Sequence, residues 1–172
     1  MAPLVRATWA PRGRTPKLKQ VMGARKKVSV IGAICVRPDG RRVRLYLAFF
    51  PQDNIDGELV RLFVRELLRH LDGPVVLVWD RLGAHEGEEI QDFVDDHPRL
   101  RVYDFPAQCP ELNPVEMVWR WLKWDKLANF APGSIEVLDA KAGELCQEAC
   151  SSQKLLRSFI AQSELPLELD WG

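Results

Sequence analysis

Val75-Val76-Leu77-Val78-Trp79-Asp80 is a short apolar run, preceded by Gly73-Pro74 and closed by an acid. Such a run, rich in β-branched valine, suits a strand covered on both faces. What flanks it decides the fold class. Before it, Leu59, Phe63, Leu67, Leu68 and Leu71 recur at helical spacing across residues 55–71, and Gly73-Pro74 stops that helix. After it, acids crowd the first turn of a helix expected at residues 86–96, where the helix dipole favours them, and His97-Pro98 ends it. Residues 100–105 alternate apolar and polar and read as a further strand. Strands separated by helices imply parallel neighbours and an α/β sheet.

The pattern extends outward in both directions. Upstream, residues 28–36 (VSVIGAICV) and 43–50 (VRLYLAFF) read as strands. Pro38-Asp39-Gly40 between them is a turn signal, so the two form a hairpin. Downstream, Asn113-Pro114-Val115-Glu116 opens a helix: Asn is a good N-cap, Pro suits the first helical position, and Glu completes a capping box. That helix carries Val115, Val118, Trp119 and Leu122 on its apolar face. Ser134 can cap a helix running to about Cys150, and Leu155, Leu156, Phe159 and Ile160 mark a last amphipathic stretch. Three regions result: a basic irregular segment at 1–27, an α/β core at 28–130 and a C-terminal helical extension at 131–172.

Composition narrows the classes. A hydrophobic content of 47% is that of a globular chain. No apolar run approaches the roughly 20 residues of a membrane span, and the first residues lack the apolar core of a signal peptide. The expected location is the cytoplasm, with no membrane partner. Cys35, Cys109, Cys146 and Cys150 form no CxxC pair, so buried free thiols are expected rather than a zinc site. Charge is unevenly spread: residues 1–44 hold 12 Lys/Arg against the single acid Asp39, while the rest of the chain holds 12 against 23 acids. A basic part of this kind meets a polyanion or is a solvated hairpin.

Two acids stand out. Asp80 ends a strand, where ligands of open α/β sheets gather. Glu116 opens a helix after 35 intervening residues, enough for helix, strand and loop to return the chain to the same edge. Two carboxylates meeting there repel unless a cation or proton intervenes. Mg²⁺ takes such oxygen ligands, and two ions roughly 3.5–4 Å apart can activate a water or 3′-hydroxyl. Plainer readings stand beside this one. Asp80 can cap a turn, and Glu116 is accounted for by the capping box. The Walker B alternative has no G-x-x-x-x-G-K-S/T to support it. His85 reads as structural, and Trp119 as core rather than a base-stacking surface; Trp121 and Trp124 stay open.

The wider motifs carry more. Val78-Trp79-Asp80-Arg81-Leu82-Gly83-Ala84-His85, followed by Phe105 to Trp119 (FPAQCPELNPVEMVW), resembles the DDE domain of mariner-type transposases and their relatives in bacterial insertion sequences. Trp9-Ala10-Pro11-Arg12-Gly13 resembles that family's turn after its first strand, and residues 28–32 its second strand. The resemblance spans roughly residues 8–130. It implies an RNase H-like mixed sheet flanked by helices, with Asp80 and Glu116 as the second and third metal-binding catalytic acids. Mg²⁺ or Mn²⁺ is the implied cofactor. DNA, as transposon ends and target, is the implied partner, met through Arg12, Arg14, Lys17, Lys19, Arg25, Lys26 and Lys27. The implied activity is metal-dependent DNA strand cleavage and transfer. Position 81 departs from the family, which commonly has Asn there. The family's first Asp lies on a central strand upstream of the Trp-containing turn, and none of the eight residues before Trp9 is acidic. The expectation is therefore an incomplete copy lacking its central strand. It is inactive alone, and either pairs with an upstream transposase fragment, forms a homodimer, or acts as a non-catalytic DNA-binding or transposase-interacting fragment.

Overall fold

Nine-residue strands β1 (Val28–Val36) and β2 (Val43–Pro51) pair antiparallel, in register from Val36↔Val43 to Val28↔Pro51. The turn between them is built by Asp39 and Gly40. The Gly40 N–H donates to the Arg37 carbonyl at 2.8 Å, and the Asp39 carboxylate accepts from the Arg41 N–H at 3.0 Å. Gly40 has φ 68°, a left-handed conformation that glycine adopts without a Cβ penalty. The computed structural model describes residues 5–7, 10–14, 17, 27–51, 53–80 and 87–167.

Helix α1 (Gly57–His70) starts at Asp56, whose side chain accepts from the Leu59 N–H at 3.0 Å. Its last carbonyls are closed by a residue from far along the chain. The Arg99 guanidinium donates to the carbonyls of Leu68, Leu71 and Gly73, a cation where the dipole favours one. β3 (Val75–Trp79), α2 (Glu88–Asp95) and β4 (Leu100–Asp104) follow, with β3 and β4 parallel from Val75↔Leu100 to Trp79↔Asp104. A 3₁₀ turn at Pro110–Leu112 leads into α3 (Pro114–Arg120), which widens into π-helical turns at Trp121–Lys126. Helices α4 (Ile135–Ser151) and α5 (Gln153–Gln162) complete the order. No helix among the described residues is long and apolar enough to cross a membrane.

Two apolar cores result. Val43 and Leu45 of β2 pack with Val118, Ala149, Leu156, Phe159 and Ile160 from α3, α4 and α5. Val60, Val64 and Leu68 of α1 pack with Ile90, Phe93 and Leu100. The outer edge of β2 is closed by side chains: Gln153 bonds both the N–H and the carbonyl of Val43, at 3.0 and 2.8 Å.

Two sequence expectations need correction. A single mixed sheet was expected, but the described residues form two separate two-stranded sheets. β3 was expected to be covered on both faces, yet Val76 is 64% and Val78 41% exposed, beside Tyr103 of β4 at 55%. Helices α1 and α2 cover only the face bearing Val75, Leu77 and Trp79. A continuous apolar run records that both faces suit burial; it does not supply the second covering layer.

Helix α1 fixes how the two sheets run. At its start, Ser29 donates to the Asp53 carbonyl and Lys27 to the Asn54 side chain. At its end, Tyr46 lies 6.0 Å from the His70 ring and Arg44 feels the charge of Asp72. Tyr46 and Arg44 pair with Ala33 and Cys35, so β1 runs along α1 from start to end. β3 begins just after the end of α1 and runs back. The two strands are therefore antiparallel to each other.

Candidate metal and nucleic-acid site

Asp80 follows the last residue of β3, and Glu116 stands in the first turn of α3. The Trp79 indole N–H donates to the Asp104 carboxylate at 3.0 Å, tying the carboxyl ends of β3 and β4 together. The start of α3 is held by Asn113, whose side chain accepts from the Val115 N–H at 3.1 Å. The reciprocal half of the expected capping box does not form, because the Asn113 N–H donates to the Pro110 carbonyl at 3.0 Å. Among the described residues the Glu116 carboxylate takes no hydrogen bond, so capping does not account for it.

Both acids line one cleft of about 860 Å³, which runs between β1 and β3. Burial pushes the Glu116 carboxyl above its ordinary range. The nearby Lys123 ammonium opposes that rise, and the negative charge of Asp80 adds to it. A half-buried carboxylate that senses a second one gains from a cation between them. The donor set suits a hard divalent ion that keeps waters and takes phosphate oxygens. Among the described residues no group of three His, Cys, Asp or Glu side chains could hold a metal, so the protein share here is two oxygens donors' side chains, Asp80 and Glu116. Sulfur ligation is disfavoured, since burial pushes the Cys35 and Cys146 thiols up to about 11. All four cysteines are free. Only Cys146 is buried; Cys35 and Cys109 are half-buried and Cys150 is exposed, against the expectation of buried thiols throughout.

The expected DNA-binding residues divide by what is described. Arg12, Arg14, Lys17 and Lys27 are exposed. Arg12 and Gly13 sit in a turn closed by the Arg14 N–H on the Pro11 carbonyl at 3.0 Å, with Gly13 at φ 81°. Lys19, Arg25, Lys26 and also His85 lie outside the described residues. Trp119 packs against the first core, Trp121 meets Phe159 edge-on at 5.9 Å, and Trp124 is 46% exposed. Sequence reasoning missed Lys123 and Asp104. Lys123 lies seven residues after Glu116, two turns along the same helical line, and that spacing was the available signal. Asp104 closes β4 as Asp80 follows β3, a parallel that the register makes visible.

Acids gathered at the carboxyl edge of parallel strands mark a ligand site in α/β proteins. The comparisons say which kind. Residues 2–138 match the family model described as DDE superfamily endonuclease, and the chain belongs to that family. It is also similar to the uncharacterized protein y4pE/y4sA of Sinorhizobium fredii, with 31% identity over 102 residues, 58% of this chain and 68% of that protein.

Proposed function

We propose that Asp80 and Glu116 hold Mg²⁺ or Mn²⁺ for cleavage and transfer of DNA strands during transposition of an insertion sequence. In this reading the chain is an incomplete copy of the catalytic core. The observation that carries it is the sharing of one cleft by two acids whose charges interact. Bound divalent ions supply charge neutralisation at the phosphate and lower the pKa of an attacking water or 3′-hydroxyl. The chain's own residues do the rest. Asp80 and Glu116 present carboxylate oxygens from two elements, and Asn113 fixes the first turn from which Glu116 projects. Lys123 adds a positive charge beside the site that suits a phosphate oxygen. Basic residues of the N-terminal segment, Arg12, Arg14, Lys17 and Lys27 among them, suit the phosphate backbone and release its counterions.

Calorimetric titration with Mn²⁺ tests the site: binding is expected in the unaltered chain and its loss in Asp80→Asn and in Glu116→Gln. Binding of equal strength in all three refutes the reading. A second reading, a DNA-binding or transposase-pairing fragment without catalysis, is favoured by the presence of only two candidate ligands among the described residues. A nicking assay in Mn²⁺ bears on completeness. No nicking is expected from the chain alone, because two carboxylates place ions less accurately than three. Nicking that disappears in Asp80→Asn shows instead that two are enough.

A further inference from the structure

The cleft is bounded along its length by the backbones of two strands. β1 pairs with β2 on one edge only, and β3 with β4 on one edge only. Both line the cleft, β1 from Val30 to Val36 and β3 from Val75 to Trp79. Two rows of N–H and C=O groups thus border one space without a strand partner among the described residues. Such groups seek partners. The treatment of β2 makes the contrast, since Gln153 and Cys150 occupy its outer edge at Val43 and Leu45. The described parts of the chain do not fill the space as a strand. Arg6 is held elsewhere, its N–H on the Asn129 side chain at 2.9 Å and its guanidinium on Asp125 at 2.9 Å. Leu165 and Leu167 reach the cleft without pairing to either strand.

We propose that this cleft is a strand-insertion site that accepts an extended apolar segment from another polypeptide, joining the two sheets into one. Direction follows from the fold. β1 and β3 are antiparallel, so a single inserted strand runs parallel to β3 and antiparallel to β1, and satisfies both edges. Length follows from β3, whose five residues set an insert of about five to seven residues. Composition follows from the two walls. One face of the insert meets Val60, Val64 and Leu67 of α1, and the other meets Trp119 and Ile160. An insert apolar on both faces also covers the open side of β3 at Val76 and Val78. Its carboxyl end lies beside Asp80, and an acid there adds the carboxylate that the described residues lack. The acid rests on the metal reading above; the strand does not. The mode is β-strand addition, in which backbone hydrogen bonds give affinity and alternate side chains give fit.

The test uses the full 172-residue chain and a fluorescent peptide of about seven residues, Val and Ile with one Asp near its carboxyl end and Lys at both termini. Fluorescence anisotropy without DNA or metal is expected to show saturable binding, and the melting temperature to rise by roughly several degrees. The same peptide N-methylated on alternate amides keeps its apolar surface and loses its ladder donors. It is expected to bind about tenfold more weakly or worse. Val76→Lys, at an exposed position, is expected to weaken the parent peptide with the circular dichroism of the free chain unchanged; Val78→Lys serves if that variant misfolds. Equal binding of the parent and N-methylated peptides overturns the proposal. So does a stable dimer of the chain that excludes the peptide, since a second copy then fills the cleft. In Mn²⁺ the Asp peptide is expected to bind more tightly than its Asn counterpart. Peptide binding without that difference upholds the insertion site and removes only the acid.

Discussion

Gly32→Ala tests the packing that sets α3 against β1. Gly32 lies mid-strand, opposite Leu47. A Cβ added there stands 2.9 Å from Cη2 and 3.0 Å from Cζ2 of Trp119, and 3.0 Å from Cδ2 of Leu47. Carbon atoms pack best at roughly 3.5–4.0 Å, so neighbours must retreat by about half an ångström or more. Leu47 can turn at χ2; the indole is rigid and moves only with its helix. Overpacking of this kind costs about 1–3 kcal/mol. Alanine recovers about 0.5–1 kcal/mol through the strand entropy that glycine loses. The net expectation is a loss of about 0.5–2 kcal/mol, read from the midpoint of urea unfolding. Trp119→Phe removes the ring atoms in question, so in that background Gly32→Ala should cost little or stabilise. The double-mutant cycle isolates the clash. Because Glu116 lies one turn before Trp119 on α3, Gly32→Ala should also weaken Mn²⁺ binding. The reasoning is refuted if Gly32→Ala raises the midpoint in the unaltered chain, or costs the same in both backgrounds.

Other outcomes follow from single features. Burial holds the Glu116 carboxyl above its ordinary value, so the fold favours its neutral form; the stability this gives is present below the ordinary value and lost as pH rises through the raised one. Glu116→Gln should therefore be the more stable chain at neutral pH, and its advantage should shrink as the pH falls, which paired thermal melts across pH will show. Asp56→Ala removes the cap bond to the Leu59 N–H and should cost about 0.5–2 kcal/mol by urea titration; no loss counts against the cap. DNA binding should fall steeply with added salt and again when Arg25, Lys26 and Lys27 are neutralised together; affinity indifferent to both removes the N-terminal segment as the contact. The free chain, with two open strand edges, should associate on concentration, and light scattering of a lasting monomer speaks against those edges being exposed.

Much of this architecture was readable because its signals are local. The hairpin, α1, β3, α2 and β4 came from periodicity and turn residues, and the motifs around Asp80 and Asn113–Glu116 gave the family. What escaped depends on distant partners. The carbonyls at the end of α1 are closed by Arg99, about 30 residues on, and no helix-end rule points there. The π-helical turns at 121–126, where the Leu127 N–H bonds the Leu122 carbonyl at 2.9 Å, defeat a reading tuned to 3.6 residues per turn. The capping box was half right, since whether Glu116 turns back depends on a Pro110 carbonyl that competes for the same N–H. That competition leaves the carboxylate available to the cleft.

Topology, not the number of acids, then limits how the site can be completed. Asp39 is the acid nearest β1 in sequence, but it lies beyond Val36, where β1 ends. That end of β1 lies beside the start of β3, because Arg44, opposite Cys35, feels Asp72. Five residues of β3 separate this level from Asp80, about 16 Å at strand rise. Divalent ions reach their oxygen ligands within about 2.0–2.6 Å, so Asp39 lies several times too far away. Its carboxylate is engaged besides with the Arg41 N–H and with Arg37. Asp104 is level with Trp79 across the β3–β4 pair and takes the indole N–H, which turns one of its oxygens away from the cleft. A further carboxylate for Asp80 and Glu116 has one open approach in this fold, along the free edge of β3, and a strand laid there in parallel delivers its carboxyl end to that point.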